Sequence, residues 1–289
     1  MRFNPTYFLN ENNASIYLPQ EKILRTQKHP FHIVDPSPWP LLAALGAFFT
    51  VFGLTLYMHF YRYGICLFPM GLVLLISTMA VWWRDVIREA TFEGHHTTYV
   101  QKGLKLGMIL FIISEAMLFF AFFWAFFHAS LNPTIEIGCV WPPKGIIAIN
   151  PWHIPLLNTI VLVTSGAYIT WSHHALLAGF RKDSIEALVY TILLAIFFTL
   201  LQYYEYCVAP FNISDSVYGS VFYMTTGLHG SHVIIGTLFL IVCLYRLIEY
   251  HFTKTHHVGF ECASWYWHFV DIVWIFVYFF IYWWGYPTA

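Results

Sequence analysis

The chain has 289 residues, of which 58% are hydrophobic and only 10% charged, where soluble domains carry about 25% charged residues. A formal net charge of −1 without any cluster of Lys and Arg excludes a general electrostatic attraction to nucleic acid. A mean hydropathy of +0.61, with apolar runs of about twenty residues recurring down the chain, assigns it to the membrane as one bundle.

Residues 1–28 lack the continuous apolar core of a secretory signal and contain Glu11 and Glu21, acids that import presequences avoid, so no cleaved targeting segment is expected. Seven spans are then predicted, at 40–60, 65–83, 104–128, 153–176, 185–208, 219–248 and 262–285, an all-α polytopic architecture. Pro36, Pro38 and Pro40 precede the first span, and proline disfavours a helical residue before it. The first two spans are separated by a few residues around "YRYG", which makes them antiparallel neighbours. Trp82 and Trp83 close the second, at the depth where amphipathic rings sit among headgroups.

The third span carries Glu115 in "FIISEAMLFF", about 17 Å from the start of its helix at 1.5 Å per residue and so near the midplane. An ionised carboxylate there costs on the order of 3 kcal/mol on insertion scales, so the group is expected to be protonated or to have a partner in the protein interior. Pro142, Pro143 and Pro151 precede the fourth span, and Ala209-Pro210 follows the fifth. The sixth offers His229 and His232, and the seventh His268 and Asp271, each pair three residues apart and therefore on one helix face. Both pairs are candidates to meet in the bundle interior, as interhelical hydrogen-bonding groups or as a proton path or cation site.

Doubled histidines stand at His95-His96, His173-His174 and His256-His257, the last preceded by His251. Their pattern suggests a competing class, a stand-alone membrane di-iron histidine-box oxygenase or desaturase. Those enzymes need an upstream HxxxH-type box and two HxxHH-type boxes, whereas the spacing from His251 to His257 is the only box-like one here. No metal site is therefore assigned, and these histidines read as interfacial. The five cysteines, at 66, 139, 207, 243 and 262, form no CxxC pair, which argues against a disulfide framework or thiolate metal site. GxSxG, phosphate-loop, GxGxxG and CxxCH motifs are missing as well.

Alternating the spans across the membrane places Arg2, Lys22, Arg25, Lys28, Arg84, Arg88, Lys102, Lys105, Arg181, Lys182, Arg246 and Lys254 on one face, leaving only Arg62 and Lys144 on the other. By the positive-inside rule the N-terminus lies on the retaining side and the C-terminus opposite.

The segments "HIVDPSPWP" (32–40), "VWWRDVIREATFEGHHT" (81–97), "ILFIISEAMLFFAFFWAFFHASL" (109–131), "SGAYITWSHHA" (165–175), "TTGLHGSHVIIGTLFLIVCLYR" (225–246) and "HHVGFECASWYWHFVDIVWIFVYFFIYWWG" (256–285) together resemble cytochrome c oxidase subunit III. The resemblance runs in order from about His29 to the C-terminus, which implies an N-terminal extension over 1–28 ahead of a seven-helix domain over 29–289. It implies a two-helix plus five-helix bundle around a V-shaped cleft filled by phospholipid, such as cardiolipin, phosphatidylglycerol or phosphatidylethanolamine. It implies a non-catalytic core subunit of a proton-pumping oxidase, with no cofactor of its own. Haem a, haem a3 and copper belong to partner subunits I and II, beside which accessory subunits pack. The role implied is to stabilise subunit I and support proton uptake while electrons pass from cytochrome c to oxygen. The implied setting is the mitochondrial inner membrane, N-terminus in the matrix and C-terminus in the intermembrane space, with a bacterial plasma membrane as second choice. Carried over residue by residue, Glu115 matches the family's buried, carbodiimide-reactive carboxylate, and Trp83, His96, Glu115, Arg246 and His251 match positions lining or bordering the lipid cleft. Glu249 stands where animal relatives often have Lys, and Val208 where the family often has Glu.

Overall fold

The computed structural model describes residues 28–287; residues 1–27, with Arg2, Lys22 and Arg25, lie outside them. Among the described residues seven helices are long and apolar enough to cross a membrane, and there is no strand. They are α1 (Trp39–Met58), α2 (Gly64–Thr91), α3 (Thr98–Leu131), α4 (Ile154–Ala178), α5 (Arg181–Val208), α6 (Ser216–Ile248) and α7 (Val258–Val277), the last continued by a π-helical turn at Tyr278–Trp284. The chain divides into two compact units, Met1–Gly103 and Leu104–Ala289. The first contains α1 and α2, and the second the greater part of α3 with α4 to α7, a two-plus-five grouping of spans.

Most predicted boundaries move by a few residues, but α2 runs to Thr91 and α3 starts at Thr98, well beyond the apolar runs that end at 83 and begin at 104. The extension of α2 contains Arg84, Asp85 and Arg88. Helix persists there because the backbone of a spanning segment must stay internally bonded until it is clear of the hydrocarbon, and because basic side chains favour a helix C-terminus. Trp39 Nε1 donates to Asp85 Oδ2 at 2.8 Å, tying the start of α1 to this stretch.

In the first unit α1 and α2 meet through glycine. Gly46 and Gly53 are the buried residues of α1, and Gly64, Gly71 and Thr78 those of α2. A Cβ on Gly46 would lie 2.9 Å from the Leu75 backbone nitrogen, and one on Gly53, Gly64 or Gly71 would likewise run into backbone of the opposite helix. Lipid gives apolar helices no hydrophobic reason to associate, so close backbone approach, which only small residues allow, supplies the packing.

In the second unit α4 ends at Gly179, whose φ of 91° lets its N–H reach the carbonyls of Ala175 and Leu176, a left-handed cap that suits glycine. Lys254 Nζ donates to the Ala178 carbonyl at 2.9 Å, and Arg181, at the start of α5, donates to the Leu247 carbonyl near the end of α6. Both cations satisfy carbonyls left over at helix C-termini. The core centres on α7, where Trp267 and Trp274 are fully buried. Their indole N–H groups donate to Ser165 Oγ at 2.9 Å and Thr159 Oγ1 at 3.0 Å, both on α4. A buried indole needs such a partner, so the two bonds fix the register of α7 against α4.

Candidate functional site

Glu115 sits midway along α3, and the structure sets it against His232 of α6. Glu115 Oε2 lies 2.6 Å from His232 Nε2, while His232 Nδ1 is 2.8 Å from the Leu228 carbonyl one turn earlier. A carbonyl oxygen only accepts, so Nδ1 carries a proton. Two arrangements remain for the 2.6 Å contact: a protonated carboxyl donating to a bare Nε2, or a carboxylate accepting from an imidazolium. Both place one proton between the two atoms and leave the pair with no net charge, which is what membrane depth requires. Phe119, four residues after Glu115, packs edge-on against the His232 ring at 5.0 Å, and Tyr266 stacks over that ring at 6.3 Å.

His229, one turn before His232, takes a different partner. Its Nε2 is 3.2 Å from the Val270 carbonyl, so it donates there, and its ring packs against Trp274 at 5.0 Å and Phe198 at 5.8 Å. His268 Nε2 lies 3.3 Å from Thr170 Oγ1, whose own hydroxyl proton goes to the Gly166 carbonyl at 2.9 Å. Asp271 is buried, its Oδ2 4.0 Å from His268 Nδ1. It fits against α4 only because position 166 has no side chain, since a Cβ there would meet that oxygen. The four polar residues singled out on the last two spans thus serve three separate helix contacts. Among the described residues no hydrogen bond joins His229 or His232 to His268 or Asp271.

The positions expected to meet lipid fall in both units. Trp83 is 60% exposed on α2. His96 lies in the α2–α3 link, with a ligand-type nitrogen near those of His32 and the carboxylate of Glu89. Arg246 ends α6 with its guanidinium carbon 4.3 Å from the Phe252 ring centroid. Its Nη1 would lie 2.7 Å from any Cβ at Gly259, so glycine at the start of α7 leaves it room. His251 follows α6, and burial, reinforced by the Arg246 charge, holds its imidazole below the usual histidine range, so at neutral pH it offers a lone pair rather than a charge.

A third acid at membrane depth, besides Glu115 and Asp271, escaped the sequence reading. Glu205, near the end of α5, is 1% exposed and accepts from Tyr282 Oη at 2.6 Å and from Gln202 Nε2 at 3.1 Å. Gln202 Oε1 in turn accepts from Asn158 Nδ2 at 3.2 Å. The cluster ties α4, α5 and the π-helical turn together beside a cavity of about 180 Å³ whose lining includes Asn150, His153 and Pro210. The available signal was Gln202 and Glu205 on one face of an apolar run, one turn before Ala209-Pro210.

Chemically these arrangements hold protons and hydrogen bonds between helices. Among the described residues none pairs a nucleophile with a general base at an open substrate cleft. The sequence model of one family, cytochrome c oxidase subunit III, matches residues 29–286. A protein named cytochrome c oxidase subunit 3 from Prototheca wickerhamii is 62% identical over 259 residues, 90% of this chain and 99% of that one. Proteins of the same name from Triticum aestivum and Formosania lacustris are 60% identical over 263 residues and 59% identical over 259, covering 91% and 90% of this chain and 99% and 98% of their own lengths.

Proposed function

We propose, from the premise that this chain belongs to the cytochrome c oxidase subunit III family, that it is a non-catalytic core subunit that stabilises subunit I and sustains its proton uptake. The observation that carries this is the family match across nearly the whole chain. In this reading haem a, haem a3 and copper reside in subunits I and II, and the chain contributes packing and bound phospholipid to an oxidoreductase complex of the respiratory chain. The internal pairing of two of its intramembrane acids supports the assignment. Glu115 is neutralised by His232 and Glu205 is held by Tyr282, so neither is left as an unpaired charge awaiting a substrate. The outward side chains of α3 support it too, since Met117, Phe120 and Trp124 are each about 60% or more exposed and need lipid or another subunit to cover them.

Phospholipid is the ligand we assign to Trp83, His96, Glu115, Arg246 and His251. Arg246 supplies a fork suited to a phosphate, and His251 a neutral imidazole beside it. Glu115 is then a structural and lipid-facing carboxyl rather than an obligatory proton carrier. The asymmetry of Lys and Arg supports an N-terminus in the matrix of a mitochondrion and a C-terminus in the intermembrane space. The 29–289 region acts as one functional domain, with 1–28 as an extension. The family match displaces the stand-alone di-iron reading of the doubled histidines.

Purification of the tagged chain from its own membrane in mild detergent tests the assignment. Haem a and copper should co-purify in fixed ratio to the chain. A preparation without them, or one holding non-haem iron in their place, would overturn it.

A further inference from the structure

We propose that His173, His257 and Glu261 form a binding site for a divalent cation of the zinc type, at the end of the second unit where α4 finishes and α7 begins. His173 lies in the last turns of α4, His257 is the N-cap of α7, and Glu261 follows in the first turn of α7. One ligand atom from each comes within 4.8 Å of the others. The donor set, two imidazoles and a carboxylate, is the one that borderline cations such as Zn²⁺ select over Mg²⁺ or Ca²⁺.

The geometry of the imidazoles is what separates this cluster from an ordinary group of interfacial polar residues. His257 is 5% exposed, and its Nδ1 is 2.9 Å from the Thr253 carbonyl, so Nδ1 carries the proton and Nε2 presents a lone pair. A backbone carbonyl fixing the tautomer of a ligand histidine is the usual outer support of a metal site. That Nε2 is buried without a hydrogen-bond partner, and so is Nε2 of His173. Two buried ring nitrogens without hydrogen-bond partners therefore stand beside a carboxylate, and on His257 the unpartnered one is a lone pair. Each would ordinarily cost free energy in such surroundings.

The spacing fits a metal rather than a proton. His257 Nε2 is 3.5 Å from Glu261 Oε1, too long for a good hydrogen bond. Two ligands each about 2.0–2.1 Å from a tetrahedral zinc stand about 3.3–3.4 Å apart, close to that separation. The His173 ring meets the His257 ring at 5.5 Å and 65°, so a small rotation of His173 completes a three-ligand face and leaves a fourth position open. His173 and Glu261 are partly exposed, which gives an entry path.

A cation already stands at the carboxylate. Lys105, near the start of α3, forms an ion pair with Glu261 Oε2. Its ammonium neutralises the acid but donates to neither imidazole nitrogen, both of which stay without a hydrogen-bond partner, and a flexible stem lets it swing away. Metal and Lys105 therefore compete for one carboxylate, and removal of the lysine must favour the metal.

The test uses the purified complex containing the full chain, stripped with chelator and titrated with Zn²⁺ alone, with bound zinc counted after gel filtration and its ligands read by X-ray absorption at the zinc edge. Wild-type complex should hold one more zinc than His173→Ala, and the difference spectrum should show two imidazoles at about 2.0–2.1 Å. His257→Ala should weaken the site by about tenfold or more, and His174→Ala, altering a neighbour outside the ligand set, should leave it unchanged. Lys105→Met keeps all three ligands and should tighten binding by about tenfold. Equal zinc in wild type and His173→Ala, or unchanged or weaker binding in Lys105→Met, would overturn the proposal. If His173→Ala fails to assemble, the direction of the Lys105→Met change decides alone.

Discussion

Glu115 and His232 face each other across 2.6 Å with a single proton between them, because the Leu228 carbonyl already claims the other ring nitrogen of His232. The pair therefore tolerates a neutral replacement that can still donate. Glu115→Gln should leave assembly and initial oxygen reduction largely intact. Glu115→Leu, which leaves Nε2 buried without a partner, should cost about 1–3 kcal/mol of stability, read as an earlier midpoint in detergent denaturation. A large immediate loss of turnover in Glu115→Gln would instead make the residue an obligatory proton carrier.

The α1–α2 hairpin should respond to side-chain volume in one place and ignore it in another. Gly46→Val forces a branched side chain toward the Leu75 backbone 2.9 Å from the first added atom, and overpacking of this kind costs about 1–3 kcal/mol. Val51→Leu, on a 67% exposed position of the same helix, should stay within about 0.5 kcal/mol. Thermal unfolding of the two variants in the same detergent gives the comparison.

Removing one hydroxyl should loosen the Glu205 cluster. Tyr282→Phe deletes the 2.6 Å bond to Glu205 without changing the ring that packs on Phe222 and Trp274. Intramembrane hydrogen bonds are worth about 0.5–1.5 kcal/mol, and the denaturation midpoint should fall accordingly. No shift would mean that Gln202 alone holds the acid.

Arg246→Ala should weaken retention of anionic lipid. A basic side chain near the surface contributes about 1 kcal/mol, or about fivefold, to such binding. Phospholipid phosphorus per complex should drop and the activity half-life shorten, with the initial rate unchanged. Unaltered lipid content would remove Arg246 from the lipid-binding set.

Spans and their number were legible because hydrocarbon thickness imposes a length and a composition that survive any tertiary detail. Glu115 was legible for the same reason, as a charge where charge is expensive. Its partner was not: His229 and His232 share a helix face, and only the packed bundle shows that one reaches α3 and the other the α7 backbone. The ends of α2 and α3 were misjudged because helices continue through the headgroup layer, where composition turns polar while hydrogen bonding does not. Glu205 was overlooked because its partner Tyr282 lies 77 residues away, beyond anything a local pattern encodes. The α1–α2 seam was hidden in plain view, as Gly46 and Gly53, and Gly64 and Gly71, each seven apart, resemble incidental glycines until a second backbone lies against them.

That seam has a consequence for how the hairpin can vary. Because the seam is made by main chain at four glycines, outward side chains such as Phe48, Val51, Val73 and Ile76, all more than half exposed, contribute little to holding α1 on α2. Drift among apolar residues at those positions can retune the hairpin to a thicker or thinner bilayer, or to a different lipid population, while the helix pair itself stays the same. Divergence along these two spans should therefore be permissive at such outward apolar positions and restricted at a sparse seven-residue comb of glycine.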